Sequence, residues 1–243
     1  MSYSIKPLLL GKHRATEGQF TYFVDWDKEI WRRNVFWYIR VEDKNVLVDT
    51  GISQADMERY LYGQPYEHIR SFSEALNLVG ITPEDVDIII QTHLHYDHCG
   101  HTALCKKAKV IVQEAELKFA YSPHALFAGS YNLGFLRDVH FHVVSGDQQI
   151  LTGIRVLEVP GHSPGAQAVA VDTKEGTAII SGFCCIKENF FPPEKMRTKW
   201  PVLTPGVSVN SLQAFDSALR IKGLADIIIP NHDLESAQRE EIP

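Results

Sequence analysis

Little in this sequence marks a chain bound for a membrane, an oxidising compartment or a nucleic acid. Near its start the only apolar run is Leu8 to Leu10, far short of the ~20 residues of a membrane span or the ~7–15 of a signal-peptide core. No membrane contact and a cytoplasmic location are therefore the expectation. Basic residues do not gather either: the densest spot is Lys106-Lys107-Ala108-Lys109, and 24 Lys and Arg against 30 Asp and Glu leave a net charge of -6. That balance disfavours nucleic acid as a partner. The four cysteines, Cys99, Cys105, Cys184 and Cys185, lack the spacing of a disulfide framework, and neighbours such as Cys184 and Cys185 are poorly placed to bridge each other. They read as free thiols of a reducing compartment. Flexible linkers and low-complexity segments are missing as well, so the 243 residues, 44% of them hydrophobic, predict a single domain over 1–243 with a core that needs no staples.

What is present is an alternation of strand and helix signals. SIKPLLLG and TYFVDW read as strands, and FWYIRVEDKNVLVDTG reads as a hairpin turning at Glu42-Asp43-Lys44-Asn45. Ser71-Phe72-Ser73-Glu74 is a capping-box pattern that opens an amphipathic helix stopped by Gly80. Thr82-Pro83-Glu84-Asp85 caps a short turn, and Val86 to Gln91 is an apolar run typical of a buried strand. The second half repeats the order: AQAVAVDTKEGTAIISG is a hairpin, NSLQAFDSALRIKG a helix ended by glycine, and ADIIIPNHD a strand running into a histidine. Asp87-Ile88-Ile89-Ile90 precedes His93 at the spacing at which Asp226-Ile227-Ile228-Ile229 precedes His232. Two pseudo-repeated, β-rich halves facing each other sheet to sheet, with helices outside, account for this order.

The stretch THLHYDHCGH holds four of the eleven histidines, His93, His95, His98 and His101, with Asp97 among them. A packed core has no use for such clustering, because each imidazole would need its own hydrogen-bond partner. Alternate residues of an extended segment share a side, so His93 and His95 can converge on one ion with Asp97 leaning the same way. A helix start near Cys99-Gly100-His101 would then redirect Asp97 and His98 toward a second ion. Two further histidines end strands beside chain breakers: His162 in Val159-Pro160-Gly161-His162-Ser163-Pro164-Gly165, and His232 in Pro230-Asn231-His232-Asp233. Imidazole and carboxylate suit Zn2+ best, and Mn2+, Fe2+ or Co2+ meet the same donor types.

Together Val48-Asp49-Thr50-Gly51, Thr92 to His98, Gly161 to Gly165 and Pro230 to Asp233 resemble the metallo-β-lactamase superfamily, and within it the N-acyl homoserine lactonases and related lactone hydrolases. The resemblance implies an α/β fold, an αββα sandwich of two mixed β-sheets with helices on the outer faces. It implies a dinuclear site, one ion on His93, His95 and His162 and the other on Asp97, His98 and His232, with Asp49 bracing the loops. The sequence departs from that family at one point. The family usually bridges its ions with an aspartate at the end of the strand that corresponds to Thr177 to Gly182, whereas no aspartate occurs between Asp172 and Asp216. Cys184 or Cys185 could supply a thiolate instead, or both could be small buried hydrophobes. The protein is then expected to hold one ion tightly, or two when metal is plentiful. The tyrosine that assists those lactonases has no counterpart in Phe183 to Glu188.

A metal-dependent hydrolase follows, in which a metal-bound hydroxide opens a lactone or similar cyclic ester and Asp97 is the catalytic group that orients it and carries its proton. A serine nucleophile is not expected beside it. The alternatives are a hydrolase of a thioester, cyclic amide or β-lactam, and a metal-binding protein without catalysis. The partner is a small-molecule substrate. Trp26, Trp31, Phe36, Trp37 and Tyr38, with the loop Ser122 to Tyr131, either wall its pocket or serve the core or contacts within a homo-oligomer.

Overall fold

Residues 2–22 and 24–243 are described by the computed structural model of the chain. The first half forms one sheet from β1 (Ile5–Thr16), β2 (Glu29–Val41), β3 (Lys44–Val48), β4 (Tyr66–His68), β5 (Ile88–Ile90), β6 (Lys109–Gln113) and β7 (Phe141–Val144), in the order β4-β1-β2-β3-β5-β6-β7. The second half forms another from β8 (Gln148–Leu151), β9 (Ile154–Glu158), β10 (Gln167–Thr173), β11 (Gly176–Ile180) and β12 (Ile227–Ile229), in the order β12-β11-β10-β9-β8. Both sheets are mixed: β3, β5, β6 and β7 run parallel in the first, β11 and β12 in the second, and the remaining pairs are antiparallel. The α-helices are α1 (Gln54–Tyr60), α2 (Phe72–Asn77), α3 (Tyr96–Cys99), α4 (Glu114–Tyr121), α5 (Lys187–Phe190), α6 (Glu194–Arg197) and α7 (Ser211–Leu224). Among the described residues no helix is long and apolar enough to cross a membrane.

The period of two along each strand decides the layering. On β2, Trp37, Ile39 and Val41 face the second sheet, where Val156, Val169, Val171 and Ile180 complete one central cluster. Their neighbours Phe36 and Tyr38 turn the other way and pack with Leu47 and Ile89 against Phe72, Ala75 and Leu76 of α2. On the second sheet, Leu157, Ala168, Ala170 and Ile179 face outward against Ala218 and Ile221 of α7. Both faces of each sheet are thus covered, which is why β5 reads as three isoleucines rather than as alternating polar and apolar residues. The result is the expected four-layer α-β-β-α sandwich.

The two halves match in register as well as in order. In the first, the β2–β3 hairpin is followed by β5 parallel to β3, with Val46 opposite Ile88; in the second, β10–β11 is followed by β12 parallel to β11, with Ala178 opposite Ile227. Asp87 accepts from the Asn45 backbone N–H at 2.8 Å, and Asp226 accepts from that of Thr177 at 2.8 Å. Each aspartate therefore pins its parallel strand to the start of its hairpin's second strand. We propose on this basis that the chain is one domain of two pseudo-repeated halves.

Three local expectations are corrected. Thr21, Tyr22 and Val24 to Trp26 lie in turns rather than a strand, because Thr21 bonds back to Glu17 and Val24; Phe23 of that run lies outside the described residues. Helix α7 runs through Gly223 to Leu224, since the Ala225 N–H still bonds to the Ile221 carbonyl. The helical turn in the histidine stretch starts at Tyr96, not at Cys99, with His95 at its N-cap.

Gly182, just after β11, has φ +75°, and a Cβ there would stand 1.9 Å from the Gln167 carbonyl oxygen of β10; Gly80 has φ +73° with open space around it. Gly182→Ala should therefore cost about 3 kcal/mol or more, and Gly80→Ala about 1 kcal/mol, the cost of the backbone conformation alone. Urea unfolding of both variants measures the difference. Equal costs would mean that β10 has room to move away.

Candidate metal centre

Strand β5 ends at Ile90, and the chain continues buried through Gln91, Thr92, His93 and Leu94 to His95. One turn of helix, α3, then swings Asp97 and His98 onto the same cavity. His162 comes from the loop after β9, which Gly161 (φ +127°) holds so close to α7 that a Cβ would lie 2.2 Å from the Ala214 nitrogen. His232 follows β12, its backbone N–H bonded to the Cys185 carbonyl at 3.1 Å. The structure brings all six sequence candidates together in two groups: His93, His95 and His162, and Asp97, His98 and His232. Within each group the candidate ligand atoms lie within 4.8 Å of one another, and all six side chains are buried. The groups adjoin, the His93 and His98 rings having centroids 4.0 Å apart.

Four of the imidazoles are oriented by what holds Nδ1. That nitrogen faces the Gly182 carbonyl at 3.1 Å in His93, the Val207 carbonyl at 2.7 Å in His162, the Arg33 carbonyl at 3.1 Å in His232, and the Asp49 carboxylate at 2.7 Å in His98. In His93, His162 and His232 an N–H donated from Nδ1 leaves the Nε2 lone pair directed at the neighbouring ligands, the tautomer a metal ligand needs. Nε2 of His93 and Nε2 of His162 stand 3.3 Å apart, and Nε2 of His95 is buried without a hydrogen-bond partner among the described residues. Converging lone pairs and an orphaned ring nitrogen fit a divalent cation.

The electrostatics agree. Burial pushes the pKa of His93, His95 and His232 well down, reinforced by neighbouring rings at His93 and His95 and by the Arg32 guanidinium at His232, and burial brings His162 to about 4, so these rings are neutral. His98 moves up: burial opposes its charge, but Asp97 and Asp49 outweigh burial. Burial also opposes the ionised form of Asp97, and the field of Arg32 overrides it and holds the carboxyl far below the carboxylate range.

Two side chains at the centre lie outside the sequence candidates. Arg32, from β2, forms an ion pair with Asp97 through Nη2, and the same nitrogen is 3.3 Å from Nε2 of His232. In the sequence it stands beside Arg33 and Asn34 in β2, and nothing local sets it apart. Glu116, on α4, is fully buried and accepts from the Leu94 and Gly165 N–H groups and from the hydroxyls of Ser163 and Tyr131. It ties the loop of His162 to the segment carrying His93 and His95. Nothing in the sequence separates it from Glu114 two positions earlier.

A cavity of about 130 Å³ opens beside His93, His95, Asp97, His98 and His162, walled further by Arg32, Tyr96, Ser130, Cys184 and Val207. Of the two cysteines, Cys184 reaches it, its thiol pushed up to about 12 by burial. Cys185 turns into the outer core and meets Ser181 Oγ at 2.8 Å. Of the two readings of the aromatic residues, core holds for Phe36, Trp37 and Tyr38; Trp31 lies under Lys12 and Arg14, and of the Ser122 to Tyr131 loop Ser130 lines this cavity while the Tyr131 ring stands edge-on to His95 at 4.8 Å. His101 is not drawn in; its Nδ1 faces the Thr50 carbonyl and its ring stacks on Phe72.

Gly161 to Gly165 does have the Gly-x-Ser-x-Gly spacing of a nucleophile elbow, against the expectation of no serine machinery. Ser163 is nevertheless fully buried, lies between two strands instead of at a strand-to-helix turn, and donates to Glu116 at 2.6 Å. It braces the loop.

A family model described as the metallo-beta-lactamase superfamily matches residues 30–182. An N-acyl homoserine lactonase of Bacillus sp is 28% identical over 212 residues, covering 81% of this chain and 80% of the relative. The N-acyl homoserine lactonase AiiA of Bacillus thuringiensis subsp. kurstaki is 24% identical over 209 residues, with the same coverage. The solved structure of an N-acyl homoserine lactone hydrolase with the product N-hexanoyl-L-homoserine bound at its catalytic metal centre superposes with a TM-score of 0.79 at 23% identity, covering 97% of this chain and 95% of the other.

Glu116→Gln tests the brace. Oε1 receives the Leu94 N–H and Oε2 the Gly165 N–H, so whichever way a glutamine amide is turned, its NH2 faces a donor. The variant should lose about 2 kcal/mol of stability in denaturant unfolding. An unchanged midpoint would mean that the four donors find other acceptors.

Proposed function

The chain belongs to the metallo-beta-lactamase superfamily, and from that premise we propose that it is a metal-dependent hydrolase that opens a lactone ring. The relatives matching 81% of its length carry the name N-acyl homoserine lactonase, which makes N-acyl homoserine lactones the first substrates to consider. One observation carries the reading: two adjoining buried groups of three side chains, drawn from three separate segments, gather beside one cavity that five of the six line.

In this reading His93, His95 and His162 hold a divalent ion, and Asp97, His98 and His232 form the adjoining acidic group. Zinc suits the three-imidazole set; Mn2+, Fe2+ and Co2+ would meet the same donors. When bound, the ion lowers the pKa of water to about 7 and polarises the ester carbonyl. The chain's own groups do the rest. Asp97 is held as the carboxylate, so it can take the proton given up by the attacking water and return it to the ring oxygen as the acyl C–O bond breaks. The Nδ1 contacts fix the imidazoles, and the buried walls keep out bulk water. Neither cysteine is needed as a nucleophile. A cytoplasmic location is part of the proposal, supported by four buried, free cysteines.

The test is ring opening of N-acyl homoserine lactones of several chain lengths by metal-loaded protein, followed by proton release. Turnover is expected, falling by at least ~1000-fold in His162→Ala and on chelation, and returning to the wild type when metal is restored. No turnover above a His93→Ala control, together with hydrolysis of a thioester or β-lactam, would move the substrate class; inactivity on all of them would remove the enzyme.

A further inference from the structure

The second group of side chains is already occupied by a cation of the chain's own. Its candidate ligand atoms are Asp97 Oδ2, Nε2 of His98 at 3.5 Å from it and Nε2 of His232 at 3.8 Å from it. The Nη2 of Arg32 pairs with that same oxygen and lies 3.3 Å from that same His232 nitrogen. His232 gives its Nδ1 proton to the Arg33 carbonyl, so Nε2 must accept, and an Arg32 N–H is the donor it faces. The lone pairs that would bind an ion are thus used by a guanidinium, which keeps its proton at any working pH.

The charge balance points the same way. Asp97 is the one carboxylate among the six residues, and Asp49 reaches the group only through the far side of His98. With Arg32 in place, a second dication would sit within a few ångströms of both the first ion and the guanidinium, opposed by a single adjacent carboxylate. Arg32 is not a mobile surface residue that could swing away freely: its side chain is 14% exposed, its Nε is buried, and its guanidinium lies 5.8 Å from the Phe20 ring centroid.

We propose that the protein works with one tightly held ion, on His93, His95 and His162, and that Arg32 takes the place of a second cation at Asp97, His98 and His232. This rests on the metal-centre reading above and makes Arg32 a positioning residue: it holds Asp97 ionised beside the ion, paired with a guanidinium instead of ligating a second metal.

Equilibrium dialysis of the metal-free protein against Zn2+, with elemental analysis, tests the proposal. The wild type should keep one ion per chain, with any second ion bound at least ~100-fold more weakly. Arg32→Gln should tighten the second binding event by at least ~10-fold and leave the first where it was, while Arg32→Lys, which keeps the charge, should behave as the wild type. Should the arginine variants fail to fold, His162→Ala decides: it should retain no tightly bound ion, because the remaining group is closed by Arg32. Two ions of similar affinity in the wild type, an unaltered second affinity in Arg32→Gln, or one tight ion left in His162→Ala would each overturn the inference while leaving a metal centre standing. No ion in the wild type would overturn both.

Discussion

Five imidazoles can share one buried site only if nearly all are neutral and their N–H groups find fixed acceptors. Everything distinctive in this structure follows from that constraint. Burial removes the charge from His93, His95, His162 and His232, and the backbone carbonyls of Gly182, Val207 and Arg33 take the protons of three of those rings. The rings then have lone pairs to spare, all aimed inward. His98 is the exception in charge, standing between Asp49 and Asp97, and it is there that the chain places its compensating carboxylates and its arginine.

The fold exists in the form that satisfies this constraint. Asp49, directly after β3, accepts the Thr92 N–H and hydroxyl and faces His98 Nδ1, so the ends of β3 and β5 and the start of α3 are locked by one side chain. Glu116 does the same between the His162 loop and the segment leading to His95. Both acids are fully buried, or nearly so, and each has at least three donors, which is what makes their burial tolerable. Gly161 and Gly182 complete the frame by letting backbone approach backbone where no Cβ would fit.

Much of this was legible in the sequence because its signals are local. The hairpin at Glu42-Asp43, the capping box at Ser71 and Glu74, the turn at Thr82 to Asp85 and the isoleucine strands all depend on neighbours within a few positions, and all form as read. The six histidine and aspartate candidates announce themselves by spacing and by their places at strand ends, and the fold gathers them. What was illegible depends on distant partners. Arg32 looks like one more charge beside Arg33 in β2 until Asp97, far along the chain, is brought against it. Glu116 differs from Glu114 only in which way α4 faces. Cys184 and Cys185 could not be told apart before the direction of the chain after Gly182 was known. The aromatic residues near the start left pocket wall and core both open, and the alternation of β2 decides for core by sending Phe36 and Trp37 to opposite cores.

The central claim, that the lone pairs of His93, His95 and His162 converge on a divalent cation, is tested most directly by a crystal of the zinc-loaded protein measured on both sides of the zinc absorption edge. The account predicts an anomalous peak about 2.0–2.1 Å from one ring nitrogen of each of the three, with Arg32 still against Asp97. A difference map without a peak between those three rings, its zinc bound elsewhere or not at all, would contradict it.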